Sequence, residues 1–412
     1  MTREIDATQT DPPPAAMVSE VWLMIVLGTL LAFASISTDL YLPAMPWMSA
    51  ALQTSQGTLQ YTVSGYLVGF SIGQLFWGPI SDRFGRRIPV AVGLVLFMAG
   101  CAGCALSTTV TQLIAFRLLQ AVGACVSVVL ARAMVRDLYQ RDRAAKFLST
   151  LASVTAIAPL LGPSVGGLIL RVADWQAIFW LLVAIGFATL VALFTIPETL
   201  PAERRNPQTV TKAFKAYGSL LLDKRLLAYA GALGFFYAGI FANISGSSFA
   251  YIDYHRLSPQ AFGLAFAAAT IGLMGMNVVN ARLVVRYGSD RMLKAGTIGA
   301  ALAGSLLAFV TATDFGGVYS MAAGLWLFVA MNGLISANSI SGAMTDFPMR
   351  AGAVSAFMGA IQYGSGVIGS AISGSFADGT PWPMGAVIAA SGFGSLICAT
   401  LIESGKKHNR TP

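Results

Sequence analysis

The 412-residue chain is 56% hydrophobic and only 11% charged, with 43 glycines, a composition far outside that of water-soluble domains. Unpaired backbone amides are so costly in hydrocarbon that such a chain must cross a bilayer as helices or as a closed barrel, and runs of about twenty apolar residues point to helices. The net charge of +8 would suit a nucleic-acid binder, but the basic residues sit in short loops between apolar runs, so no nucleic-acid partner is expected.

Residues 1–20 carry Arg3, Glu4, Asp6, Asp11, Glu20 and the run Pro12-Pro13-Pro14, and no basic segment leads into a short apolar stretch. They read as a disordered cytoplasmic tail, not a signal peptide. Apolar runs then follow at 21–42, 58–80, 88–106, 110–131, 147–170, 177–196, 226–250, 261–282, 292–312, 316–340, 350–376 and 383–402, which makes twelve spans in an all-α membrane protein. Cys101, Cys104, Cys125 and Cys398 all fall inside these runs, so no disulfide framework is expected. The Cys101-x-x-Cys104 pair lacks a second ligand pair, and no metal is expected there.

With the amino terminus placed in the cytoplasm, 23 of the 26 Lys and Arg residues fall on the inside, among them Arg83, Arg86, Arg87, Arg132, Arg136, Arg286, Arg291 and Arg350. Only Arg171 and Arg256 fall outside, and Arg117 lies within a span. The bias sets both termini in the cytoplasm and requires an even number of spans. The polar, basic stretch 198–225 reads as a cytoplasmic linker between an N-terminal six-helix bundle at 21–197 and a C-terminal one at 226–403, with a second tail at 404–412. An internal repeat supports the division, since GPISDRFGRR at 78–87 is echoed about 204 residues later by RYGSDR at 286–291.

Several motifs make a family resemblance specific. Gly78, Asp82, Arg83, Gly85, Arg86 and Arg87 match the major facilitator signature between helices two and three, and Arg117-x-x-Gln120-x-x-Gly123 is similar to that superfamily's membrane-embedded arginine motif. Pro159, Gly162, Pro163, Gly166 and Gly167 resemble the helix-five motif of the drug:proton antiporter branch, and STDLYLPAMP at 37–46 with PET at 197–199 resembles Bcr/CflA-type multidrug exporters. The resemblance implies a major facilitator fold of two pseudo-symmetric six-helix bundles in the bacterial inner membrane. It further implies a monomeric exporter of amphiphilic small molecules, driven by protons and needing no cofactor.

Asp39 stands out as a carboxylate in an apolar span, either close enough to the surface to stay wet, as a cap just before Pro43, or kept for function. Arg117 lies roughly 10 Å below the outer surface, counting 1.5 Å per residue, at a depth comparable to Asp39, so an Asp39–Arg117 ion pair that couples protons to transport is expected. In the loop after helix two, Asp82 and Arg86 are one turn apart and Asp137 reaches the same layer; the resemblance implies a cytoplasmic latch there, with Asp82 facing the amino end of helix eleven. The helix-five residues form a smooth, kinked surface suited to tight packing. Tyr41, Gln60, Tyr61, Tyr66, Gln120, Phe235, Phe236, Asn243, Asn277, Asn280, Asn332, Asn338 and Gln362 are polar or aromatic residues expected either to line the substrate cavity or to tie helices together.

Two rival functions remain at this level. A transporter of one small metabolite shares the architecture. A membrane enzyme is disfavoured, because no glycine-rich phosphate loop, HExxH, paired carboxylates or Ser/His set occurs at membrane depth, and His255 and His408 lie in an outer loop and a tail.

Overall fold

The computed structural model describes residues 19–139, 141–155, 157–205, 217–218, 220–345, 347 and 350–408; residues 1–18, 206–216 and 409–412, and with them most of the expected tails and part of the expected linker, lie outside these. The spanning helices are α1 (Glu20–Asp39), α2 (Gln56–Phe84), α3 (Arg87–Ala105), α4 (Val110–Leu138), α5 in two pieces (Arg141–Thr155 and Ile157–Ile169) and α6 (Gln176–Leu193). After the central loop come α7 (Lys224–Ser248), α8 (Pro259–Tyr287), α9 (Ser289–Thr313), α10 in two pieces (Gly317–Ala330 and Asn332–Thr345), α11 (Ala351–Ser375) and α12 (Trp382–His408). Among the described residues nine segments are long and apolar enough to cross a membrane. The remaining three are α2, α5 and α11; α5 is divided into two pieces, of which Ile157–Ile169 is apolar but short. All three face the other bundle, where α2 packs on α11 and α5 on α8. The outer surface is apolar instead, with Val95, Leu264, Leu302 and Ile397 exposed where lipid takes the place of water.

Helix starts follow local rules. Ser19, Ser55, Thr109, Asp223 and Ser258 each accept a hydrogen bond from a first-turn amide of the helix they precede. The repeat is visible at helix ends: α2 and α8 both stop at a glycine of positive φ, Gly85 at 91° and Gly288 at 81°. In each, the arginine two positions earlier lies over the aromatic ring that follows it, Arg83 over Phe84 and Arg286 over Tyr287.

Several boundaries differ from the apolar runs; α4, for one, runs on to Leu138, past residue 131. α1 ends at Asp39, short of residue 42, because Pro43 has no N–H to offer the Asp39 carbonyl. The chain continues as a buried 3-10 turn, Leu42–Ala44, and a short helix, Met45–Ala51. α12 runs on to His408, past the expected end at 403. The stretch expected to be linker begins with structure, since Thr199 and Leu200 are buried before the turn Ala202–Arg204.

The bundles meet closely at one end. A Cβ on Gly57 would lie 2.2 Å from the Gly374 carbonyl oxygen, so α2 and α11 touch there through bare backbone. Gln56 donates to Asp253 at 2.9 Å, Tyr61 and Ser375 hydroxyls are 2.8 Å apart, and Gln260 donates to the Gly167 carbonyl at 2.9 Å. At the opposite end, which holds the basic loops, the bundles part around a cavity of ≈ 440 Å³ that reaches from Asp82 and Arg132 to Ile340 and Gly352.

Candidate functional site

Ser37 lies in the last turn of α1, whose final intrahelical bond runs from the Leu40 amide to the Ile36 carbonyl. The Ser37 carbonyl is thereby left without a helical donor, at the negative end of the helix dipole. Arg117, from two turns inside α4, fills that need: its Nη1 donates to the Ser37 carbonyl at 2.9 Å and to Gln120 Oε1 at 2.6 Å. The guanidinium is fully buried between the rings of Tyr41 and Tyr66, 4.2 and 4.5 Å from their centroids, where cation–π attraction is strongest. Gln120 in turn donates to Cys101 Sγ at 3.0 Å.

The expected Asp39–Arg117 ion pair is therefore corrected. No carboxylate oxygen lies within 4.0 Å of Arg117 among the described residues; the α1 end and Gln120 hold Nη1, while the buried Nε and Nη2 make no hydrogen bond and face the two tyrosine rings. Asp39 instead lines a second cavity of ≈ 220 Å³ between the bundles, together with Tyr66, Phe241, Asn243, Asn332 and Tyr363. It is only 4% exposed, and among the described residues its carboxylate has one hydrogen-bond partner, the Thr38 hydroxyl at 3.1 Å. A wet cap at the outer surface does not describe it.

The helix-five motif touches this site directly. A Cβ on Gly162 would come 2.9 Å from the Asp39 Cβ, and one on Gly166 would come 2.0 Å from the Leu40 carbonyl oxygen and 3.0 Å from Pro43 Cγ. Gly167 lies against Pro259 at the start of α8, Pro159 lines the cavity, and Pro163 is buried within the same piece of α5. The motif thus wedges α5 between the broken end of α1 and the other bundle.

Of the residues expected in the cavity, the structure brings Tyr66, Asn243 and Asn332 together with Asp39, and places Gln362 in the basic-end cavity. Tyr41 and Gln120 are fully buried around Arg117 and line neither cavity. Gln60 and Tyr61 hold the bundles together at the closed end, through Ser245 and Ser375. Asn338 donates to Asn280 at 2.7 Å, tying α10 to α8 within one bundle, and Asn277 is exposed on α8. Phe236 stacks on Phe328, while Phe235 is 49% exposed on the outer surface beside Gly394. The cavity face of α7 is Ile240, Phe241, Asn243 and Ile244; six residues turn a helix through roughly 600°, a net 240°, so Phe235 points elsewhere. Phe241 and Tyr363 were legible as aromatics, but not their phase.

At the basic end, Arg86 gathers the signature loop. It donates to Asp82 at 2.7 Å, Ser81 at 2.6 Å and Asp137 at 2.8 Å, and is 7% exposed. Glu198, the middle residue of the PET motif, has a role the motif alone does not show: it accepts the amides of Arg86 at 2.9 Å, Arg87 at 3.1 Å and Leu200 at 3.0 Å and so caps α3 from a distant loop. Gly85 is required both by its φ of 91° and by the 2.8 Å a Cβ would leave to Glu198 Oε2. Arg87 lies over the Phe194 ring and donates to its carbonyl. Among the described residues Asp82 pairs only with Arg86, and its side chain is 51% exposed; Gly352 and Ala353 of α11 line the same cavity, so the contact with the amino end of helix eleven that the resemblance implies is not made here.

Burial works against the Glu198 carboxylate, but hydrogen bonds from the Leu200, Arg86 and Arg87 amides, with the Arg205 charge, outweigh it and hold the group below the usual glutamate range. A group depressed on folding stabilises above its unfolded pKa and loses that contribution as pH falls through the folded value. Glu198→Gln is therefore expected to cost about 1 kcal/mol at neutral pH, the usual worth of a cap. In thermal unfolding of the detergent-solubilised protein, the gap from wild type should hold at neutral pH and close only as pH is lowered below the usual glutamate range. A gap that widens on acidification contradicts this role.

The family model described as Major Facilitator Superfamily matches residues 25–370. The chain is 34% identical over 374 residues to the "Uncharacterized MFS-type transporter YdgK" of Bacillus subtilis, covering 89% of this chain and 91% of that one. It is 30% identical over 362 residues to the "Bicyclomycin resistance protein homolog" of Haemophilus influenzae, covering 88% and 91%. Its fold is similar to that of the E. coli xylose transporter XylE, solved in a partially occluded inward open conformation, with a TM-score of 0.71, 17% identity and coverage of 93% and 97%.

Proposed function

Since the chain belongs to the Major Facilitator Superfamily, whose members are membrane transporters and not enzymes, we propose that it exports amphiphilic, antibiotic-like small molecules from a bacterial cytoplasm in exchange for protons. The observation that carries this reading is Asp39, a nearly isolated carboxylate in the wall of an amphiphilic cavity between the two bundles. Kinship with a bicyclomycin resistance protein homolog supports the substrate class.

A buried carboxylate is costly unless something compensates its charge. A proton does so by binding it, and a cationic or polar substrate does so by pairing with it, and the two exclude each other. Asp39 closes α1, and Arg117 holds the carbonyl two residues earlier, so a change at the carboxylate is felt at the α1–α4 contact without any Asp–Arg bond. The Asp39–Arg117 relation is one of shared helix end.

Alternating access accounts for a pair of glycines that this conformation leaves unused. At the closed end Gly57 and Gly374 let α2 and α11 touch; at the open end a Cβ on Gly78 or Gly352 would meet nothing within 4 Å. Closing the basic end would bring α2 and α11 together there, with Asp82 against the start of α11. The basic loops set that end in the cytoplasm, with both termini inside, in the inner membrane, and the chain acts as a monomer.

The test is purified protein in liposomes under an imposed pH gradient, with phenicols, bicyclic peptide antibiotics and lipophilic cations offered in turn. At least one class is expected to move against its own gradient while protons move the other way. If none responds to the gradient, the single-metabolite reading takes over.

A further inference from the structure

We propose that the basic-end cavity is an anion site that receives the carboxylate or phosphate group of an amphiphile. Its lining includes Arg86, Arg132 and Arg136 against one acidic residue, Asp82. Arg86 is saturated by Asp82 and Asp137, so the excess charge belongs to Arg132 and Arg136. These stand one turn apart on α4, which puts them on one face, and neither makes an ion pair or hydrogen bond among the described residues. Guanidinium forks match carboxylate and phosphate oxygens in geometry as well as charge.

Membrane topology does not require this placement. A positive-inside signal is served by a charge anywhere on the basic side, whereas Arg132 and Arg136 both line the cavity between the bundles. Across the cavity, the first turns of α11 contribute Gly352 and Ser355, so the positive end of a helix dipole faces the same space. Ile340 and Leu148 add apolar wall for the remainder of an amphiphile. The arginines and Asp39 line different cavities, which meet at Tyr363.

The experiment measures binding, not transport. Protein in phosphatidylcholine nanodiscs is titrated with dansyl-labelled undecanoate and with its uncharged amide. Wild type is expected to prefer the carboxylate by about tenfold, the worth of charge-assisted hydrogen bonds. Arg132→Gln with Arg136→Gln should abolish the preference and leave amide affinity unchanged, while Arg132→Lys with Arg136→Lys keeps most of it. If the double glutamine variant does not fold, Arg132→Gln alone, at an exposed position, is read in the same way. Adding phosphatidylglycerol separates the sources of the anion: competition lost in the variant identifies a lipid headgroup as occupant, and undecanoate binding that persists identifies a solute. Equal affinity of wild type for the two probes, or carboxylate affinity unchanged by the substitutions, overturns the proposal.

Discussion

Asp39→Asn is expected to uncouple export from the pH gradient while leaving the protein folded. Asparagine matches aspartate in shape and can still accept from the Thr38 hydroxyl, the partner the carboxylate has now, so the cavity keeps its walls. The substitution removes the one group there that binds and releases a proton. A gradient of one pH unit supplies about 1.4 kcal/mol per proton, a roughly tenfold substrate ratio for each proton coupled. Wild-type liposomes should build that ratio; Asp39→Asn liposomes should stop at equal concentrations on both sides, while still exchanging substrate down its own gradient. Taking a charge out of apolar surroundings should also leave the thermal midpoint unchanged or raised. Gradient-driven accumulation at the wild-type level would remove Asp39 from the mechanism.

Gly162→Leu is expected to reduce export to background while most of the fold survives. The glycine lets α5 lie flat on the broken end of α1, where even a Cβ would stand 2.9 Å from Asp39 Cβ. Leucine must push α5 or Asp39 aside, and overpacking of this sort costs about 1–3 kcal/mol, enough to obstruct sliding of the α1–α5 contact. Gly166→Ala makes an informative comparison. Its Cβ would lie 2.0 Å from the Leu40 carbonyl oxygen, a backbone atom that cannot rotate away, so it should lower the thermal midpoint further than Gly162→Ala does. Transport assays and thermal unfolding of the three variants read both effects. Full export by Gly162→Leu would show that this contact does not move, and the reverse order of the two alanine variants would show that the Gly166 contact is not the tighter one.

Arg117 illustrates why a residue can be singled out correctly and paired wrongly. A buried cation in a span needs compensation, and Asp39 lies at comparable depth, so an ion pair was the natural expectation. What sequence depth does not reveal is that Pro43 ends α1 at Asp39 and frees the Ser37 carbonyl, or that two tyrosines close over the guanidinium. Glu198 is the converse case. In sequence it stands in the PET motif beyond α6, which marks the residue but not its role as the cap of α3; only the returning chain brings its carboxylate to the amides of Arg86 and Arg87.

The sequence by itself determined the class of the protein, its helical spans and the residues around which a mechanism has to be built. Each span is decided by its own transfer into hydrocarbon, and each loop by its own charge, so one-dimensional patterns suffice for them. The glycines at 85 and 288 and the repeat they end belong to this legible part, because positive φ is a local demand. The tertiary structure alone decided the contacts between spans: Gly162 beneath Asp39, Arg117 on the end of α1, Phe241 facing the cavity where Phe235 does not, and the basic end open while the other is shut. These depend on the rotational phase and crossing of helices far apart in the chain. In lipid that phase is set by small-residue contacts and single hydrogen bonds between helices, not by a hydrophobic stripe readable from one strand of sequence.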